Sequence, residues 1–282
     1  MRRWIILAWV ASAACRAPTP EELDREFARS IREQVEFDQW PKPPGAPMAA
    51  GFDILNGIPP EMEAWQLTED DFDYQSSWQV VTRRIKWRLR GAPLTVICGV
   101  GTGSVDQTHR AMLASIASLA PVGEKLKRDP TASIPRVTAA DPRVFTAFCR
   151  GNVFIVFAQP APVNLDPAPV LAEWDKKIQE QPPLFRAMEF VPRIQEIKSS
   201  RKGNALKKDS RIVFTIKLDG EEGFVPAGIE ILENGKRQSY MLHTSALHLG
   251  VTANIEGSYT LHLWVANKRQ LAAISVQKIT VN

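Results

Sequence analysis

The chain has 282 residues, with 35 Lys and Arg against 31 Asp and Glu for a net charge of +4, and it is 44% hydrophobic and 23% charged. That balance excludes a disordered chain and a multispanning membrane protein, and three cysteines exclude a disulfide-dense mini-fold. The length suits two domains.

Residues 1–15 read as a signal peptide. Arg2 and Arg3 precede an apolar run from Trp4 to Val10 and then the small residues Ala11, Ser12, Ala13 and Ala14. The run is well short of the roughly 20 residues that cross a bilayer. Ser12-Ala13-Ala14-Cys15 resembles the lipobox of bacterial lipoproteins. The resemblance implies that Cys15 is lipidated, becomes the new N-terminus and ties the chain to a membrane. Cleavage by ordinary signal peptidase after Ala13 or Ala14 is a second outcome, which gives a periplasmic or secreted protein, and an uncleaved anchor is a third. Each route exports the chain to or through the bacterial cell envelope.

Residues 16–75 are expected to form an N-terminal helix followed by an acidic loop. Thr19-Pro20-Glu21-Glu22 combines a capping residue, proline in the first turn and Glu three residues after the Thr, and Leu23, Phe27 and Ile31 recur on one face. Asp53, Glu61, Glu63, Glu69, Asp70, Asp71 and Asp73 make the following stretch acidic, and Pro59-Pro60 interrupts it.

Residues 76–190 are read as an α+β domain. Arg84, Lys86, Arg88 and Arg90 alternate with Ile85, Trp87 and Leu89, the pattern of a half-buried strand, and Leu94–Val100 is its hairpin partner. A helix follows over Val105–Leu119, with Ser104 and Gln107 as a capping box. The order recurs as strands Val144–Cys149 and Val153–Ala158 and a helix opened by Asp166-Pro167, whose Val170, Leu171, Trp174 and Ile178 share a face. Arg90-Gly91 and Arg150-Gly151 share one offset with Asp106 and Asp166, which suggests a duplicated strand-strand-helix unit: a four-stranded antiparallel sheet backed by two helices.

Residues 191–282 read as an all-β sandwich. Ile212, Phe214, Ile216 and Leu218 alternate with polar neighbours, and Asn234-Gly235 is a strong hairpin signal. The run from Gly257 to Val265 resembles strand F of immunoglobulin-like and fibronectin type III-like domains, which implies a tyrosine corner at Tyr259. This segment has 13 Lys and Arg against 8 Asp and Glu, whereas residues 16–190 have 20 against 23, so the basic excess belongs to the sandwich. Lys198, Arg201, Lys202, Lys207, Lys208 and Arg211 carry much of it, as a solvated loop rather than a nucleic-acid site.

Chemistry is thinly signalled. Gly99-Val100-Gly101-Thr102-Gly103-Ser104 is a glycine-rich turn between strand and helix, but it lacks the parallel strand-helix-strand unit of a dinucleotide site and the GK[ST] ending of a P-loop. Ser104, Asp106 and His109 fall outside the G-x-S-x-G pattern of a nucleophile elbow, so an exported hydrolase using this loop stays a secondary reading. His109, His243, His248 and His262 have no zinc-binding spacing. Cys98 and Cys149 are read as either a disulfide or two buried thiols. If Leu261, Leu263 and Val265 face inward, His262 and Trp264 face outward and form a binding patch, unless a loop or the other domain covers the Trp. The expectation is a non-enzymatic envelope module that binds a protein or glycan, takes no cofactor and meets no nucleic acid; a structural spacer is the further alternative.

Overall fold

The computed structural model describes residues 28–41, 55, 64–89, 92–121, 123–159, 165–181, 192–219, 227–243, 247–266 and 272–282. The segment read as a signal peptide with Cys15, the helix start expected at Thr19 and the Arg90-Gly91 anchor lie outside the described residues.

The first unit is built on one antiparallel sheet of seven strands rather than four. Its strands are β1 (Gln66–Gln75), β2 (Val80–Leu89), β3 (Ala92–Gly101), β4 (Lys127–Arg128), β5 (Arg136–Thr138), β6 (Phe145–Arg150) and β7 (Val153–Ala158). Their order is β1-β2-β3-β7-β6-β5-β4. The two expected hairpins are its centre, where β3 pairs with β7.

The acidic segment expected as loop corrects to strand β1 from Gln66 onward, and the reason is its neighbour. In the β1–β2 register Asp71 lies opposite Arg84 and Glu69 opposite Lys86, so the acidic strand is complementary to the basic face of β2. Lys86 pairs with Glu69, and Arg83 holds Asp70 through two nitrogens at 2.8 Å.

Two helices cover the sheet from opposite sides. On one face, Met112 and Ile116 of α2 (Val105–Leu119) pack with Ile97, Phe154 and Val156, joined by Ile31, Val35 and Trp40 of the N-terminal segment, which includes α1 (residues 28–34). On the other, Val170, Leu171, Trp174 and Ile178 of α3 (Ala168–Gln179) pack with Val96, Cys98, Ile155 and Phe157. The α2 start is the predicted capping box: the Gln107 N–H donates to Ser104 Oγ, and the Ser104 N–H donates back to Gln107 Oε1. Strand-strand-helix order therefore recurs, but the two helices do not share a face.

The second unit comprises β8 (Arg193–Ser199), β9 (Ala205–Leu206), β10 (Ser210–Asp219), β11 (Ala227–Glu233), β12 (Lys236–His243), β13 (His248–Ala253), β14 (Gly257–Ala266) and β15 (Ala272–Val281). A sheet ordered β13-β10-β8 faces one ordered β12-β11-β14-β15-β9. Ile212, Phe214, Ile216, Leu249 and Val251 meet Ile229, Leu261, Leu263, Val265 and Ile279 between them, as alternation along each strand requires. Asn234 (φ 50°) and Gly235 (φ 76°) both take positive φ between the paired ends Glu233 and Lys236, as a type I′ hairpin needs. The Tyr259 hydroxyl donates to the Ile255 carbonyl at 3.2 Å.

Candidate functional site

The positions nominated by sequence resolve into three local structures. Gly99 and Gly101 are places of close packing: a Cβ at Gly99 would lie 2.2 Å from the Phe154 ring, and one at Gly101 would lie 2.1 Å from Thr108 Oγ1. Three N–H groups of this turn are already spent. Gly101 donates to the Asn152 carbonyl, Thr102 to the Gln79 carbonyl and Ser104 to Gln107. Ser104 Oγ accepts from the helix, while His109 is buried edge-on against Trp40 with ring centroids 5.4 Å apart. Among the described residues, nothing aligns this serine and histidine as nucleophile and base.

Cys98 and Cys149 are both free and buried, which settles the disulfide alternative in favour of thiols. Cys98 lies opposite Ile155 on β7, and Cys149 lies opposite Phe154 on that strand's other side. A strand thus separates them, and they belong to the cores on opposite faces of the sheet, an arrangement that no disulfide can span. Burial pushes the Cys98 thiol up to about 12 and raises that of Cys149 as well.

His262 and Trp264 do turn away from the sandwich core, and of the two readings of Trp264 the structure has the covered one, with the other unit lying where an open binding patch would be. Trp264 is 1% exposed and packs with Phe72, Tyr74 and Val81 of the first unit. Its ring lies 6.2 Å from that of Tyr74. Around this apolar contact sits a charge cluster. Glu230 is 1% exposed, accepts from the Ser76 N–H at 3.4 Å, and has His262 Nδ1 at 3.0 Å and Arg237 Nε at 3.7 Å. Arg237 also pairs with Asp73 across the junction. Burial raises the Asp73 carboxyl despite that partner, and burial next to Glu230 pushes the Tyr74 phenol up to about 12. The cluster joins the two units.

An open concavity lies elsewhere, on the α3 face of the first sheet, with a volume of about 630 Å³. Because Val137 packs into the α2-side core, Arg136 and Thr138 on either side of it turn to the α3 face. There they meet their cross-strand partners Phe148 and Thr146. Leu171 and Ala172 of α3 form the facing wall, with Pro142 and Pro167 at the margins. Asp175 in the lining is held through both carboxylate oxygens by Arg150, at 2.5 and 2.8 Å. Thr146 donates to the Pro142 carbonyl, and Asp166 accepts from the Ala168 N–H at the helix start. Lys127 and Arg136 line the same groove, are exposed, and make no ion pair among the described residues. The result is an apolar floor with charges of both signs around it, Lys127, Arg128 and Arg136 beside Asp129, Asp166 and Asp175, and the Thr131 hydrogen bonds, helped by Arg136, hold the Asp129 carboxyl below its ordinary value; the volume is in the usual size range of ligand sites.

None of these groove residues had a motif. The segment from 120 to 143 has no long periodic pattern, because β4 and β5 contain two and three residues. The available signal was the cluster Lys127, Arg128 and Arg136 within a short proline-bearing stretch.

No protein-family model matches the chain, and no curated protein does. Among solved structures, domains d3-d4 of the rat CD45 extracellular region match at 14% identity and a TM-score of 0.25, over 31% of this chain and 47% of that one. The chain therefore spans about half the length of that structure. A superoxide reductase (neelaredoxin) from Ignicoccus hospitalis matches at 10% identity and a TM-score of 0.27, over 34% of this chain and 86% of that one. The extracellular domain of a hybrid two-component system from B. thetaiotaomicron matches at 9% identity and a TM-score of 0.21, over 75% of this chain and 30% of that one. Similarity at this level carries no function across. Among the described residues, no helix is long and apolar enough to cross a membrane.

Proposed function

We propose that this chain is an exported cell-envelope protein, anchored through a lipid on Cys15, that binds a protein partner without catalysing a reaction. The groove between α3 and strands β4–β6 carries this reading. Phe148, Leu171 and Ala172 offer an apolar side chain a place to bury, and Lys127 and Arg136 supply charge for an adjacent carboxylate. An acidic, partly apolar polypeptide segment is the ligand chemistry that suits it. The sandwich, read as immunoglobulin-like on its tyrosine corner and two-sheet order, is the support on which the first unit is fixed. Export rests on the basic-then-apolar leader and on Ser12-Ala13-Ala14-Cys15.

Ala172 is exposed on the groove wall, so a photo-crosslinking side chain placed there reports contact without disturbing the core. In intact cells it is expected to capture one discrete protein. Arg136→Glu is expected to weaken that capture at least about tenfold, the effect of reversing a charge that faces an acidic partner. Capture that Arg136→Glu leaves unchanged overturns the assignment of the groove. Cys15→Ser is expected to release the protein from the membrane fraction, and an unmodified N-terminus beginning at Met1 overturns the export reading.

A further inference from the structure

The α2 face of the first sheet carries a second concavity, about 270 Å³ in volume, lined by residues of β1, β2 and α2. Glu69, Asp71 and Asp73 alternate along β1 and so share this face, opposite Lys86, Arg84 and Thr82 of β2. On β1, Glu69 is in contact with Lys86, Asp70 with Arg83 and Asp73 with Arg237. Asp71 is the exception. It lies opposite Arg84, yet among the described residues Arg84 makes no hydrogen bond and no ion pair. The side chain that Asp71 does meet is Glu69, of its own charge. Burial, and after it that neighbour, raise the Asp71 carboxyl above its ordinary value, while Lys86 and Arg84 act on it only from a distance.

Asp71 and Arg84 both line the concavity and are half-buried, so opposite charges face one space without closing on each other. Residues directly opposite on paired strands have Cβ atoms about 5 Å apart, which offers the two charges side by side. Ser115 and Ser118 of α2 line the space as well. Each spends its hydroxyl proton on a helix carbonyl, that of Ala111 and that of Ser115, so acceptor lone pairs are what they have left to offer. Trp78, Ile97 and Ala114 add apolar surface.

We infer that this concavity binds a free α-amino acid with an aliphatic side chain, its ammonium beside Asp71, its carboxylate on Arg84 and its side chain against Trp78, Ile97 and Ala114. An α-amino acid carries both charges on one carbon, within reach of two neighbouring side chains. An inorganic anion would answer Arg84 and leave Asp71 unpaired, and a cation would do the reverse. A neutral sugar would desolvate both charges and neutralise neither, which costs free energy. The ammonium brings Asp71 the positive contact that it lacks beside Glu69, and the two serines supply further acceptors. The volume lies just under the roughly 300 Å³ at which drug-sized sites begin, which suits one small molecule rather than a polypeptide segment. This site is therefore separate from the groove on the α3 face.

Titration calorimetry of the mature chain carrying Cys15→Ser, with glycine, L-alanine, L-valine and L-leucine as probes, tests the inference. One-to-one binding is expected, tighter for the aliphatic members than for glycine. The N-acetyl and amide derivatives of the tightest binder each lack one charge and are expected to bind at least about tenfold more weakly. Arg84→Gln and Asp71→Asn are each expected to weaken binding by the same factor. Neither residue has a partner of opposite charge in the chain itself, so the melting temperature without ligand is expected to hold, which separates a lost ligand contact from a lost fold. The derivatives probe the unaltered chain, so the result does not depend on either variant folding. No binding of any of these amino acids at millimolar concentration overturns the inference, as do derivatives that bind as tightly as the parent and glucose that binds as tightly as the amino acid. Binding that survives Arg84→Gln and Asp71→Asn but is lost in Arg136→Glu places the ligand in the other groove and overturns it too.

Discussion

Glu230 shows how a single residue is made tolerable in a buried place. Its carboxylate, 1% exposed, is served by the Ser76 N–H, His262 and Arg237, and Arg237 also pairs with Asp73. Removing the guanidinium would strand two acids at the junction, so Arg237→Ala is expected to cost about 2 to 3 kcal/mol in chemical denaturation. That is the lower part of the range for breaking a desolvated charge pair, because Arg237 itself stays 28% exposed. His109 gives a pH signature. Burial holds its imidazole below the ordinary value of 6.5, so as pH falls the unfolded chain takes up this proton first. The stability that His109 contributes is full above 6.5 and is lost as pH falls through its folded-state value. Thermal melts from pH 7.5 to 5 are expected to show that loss, and His109→Gln to reduce it. The buried thiols of Cys98 and Cys149 are expected to resist alkylation in the native chain and to react once urea unfolds it, as read by intact mass.

At the scale of elements, the turn from β3 into α2 is built for packing. A methyl at Gly99 would overlap the Phe154 ring, so Gly99→Ala is expected to cost about 1 to 3 kcal/mol through overpacking. Ser104→Ala is expected to cost about 1 kcal/mol, the loss of a helix cap, and to leave partner capture unchanged. A loss of capture without loss of stability would return this loop to consideration as a functional site. Much here was legible in sequence: the β2–β3 and β6–β7 hairpins, the capping box at Ser104 and the buried face of α3 all follow from local periodicity. Strand β1 was not. Its run of Glu69, Asp70, Asp71 and Asp73 has poor strand propensity. It becomes a strand because β2 places basic side chains opposite it.

The whole molecule is two differently charged units joined by a contact that no local pattern announces. Trp264 is the centre of that contact, and its truncation removes the largest apolar side chain of the junction. Trp264→Ala is expected to weaken the coupling by about 3 kcal/mol and to split one calorimetric transition into two, while far-ultraviolet circular dichroism stays the same. A single unchanged transition would mean that the two units fold independently of this contact. The groove rimmed by Lys127 and Arg136 is also a product of assembly: its floor comes from β5 and β6, its wall from α3 and its rim from the β4–β5 hairpin.

The sequence by itself determined the local elements: two hairpins each followed by a helix, the alternating strands of a two-sheet sandwich and the Asn234-Gly235 turn. These depend on periods of two or 3.6 residues and on turn chemistry, which neighbours in sequence specify. Tertiary structure decided which side of the sheet each helix covers, that Cys98 and Cys149 face opposite cores, and that Trp264 is covered while Ile274 and Val276 are not. Those outcomes turn on which surfaces meet across long separations, such as Asp73 with Arg237, and alternation along a strand tells the two faces apart without saying what will lie against each.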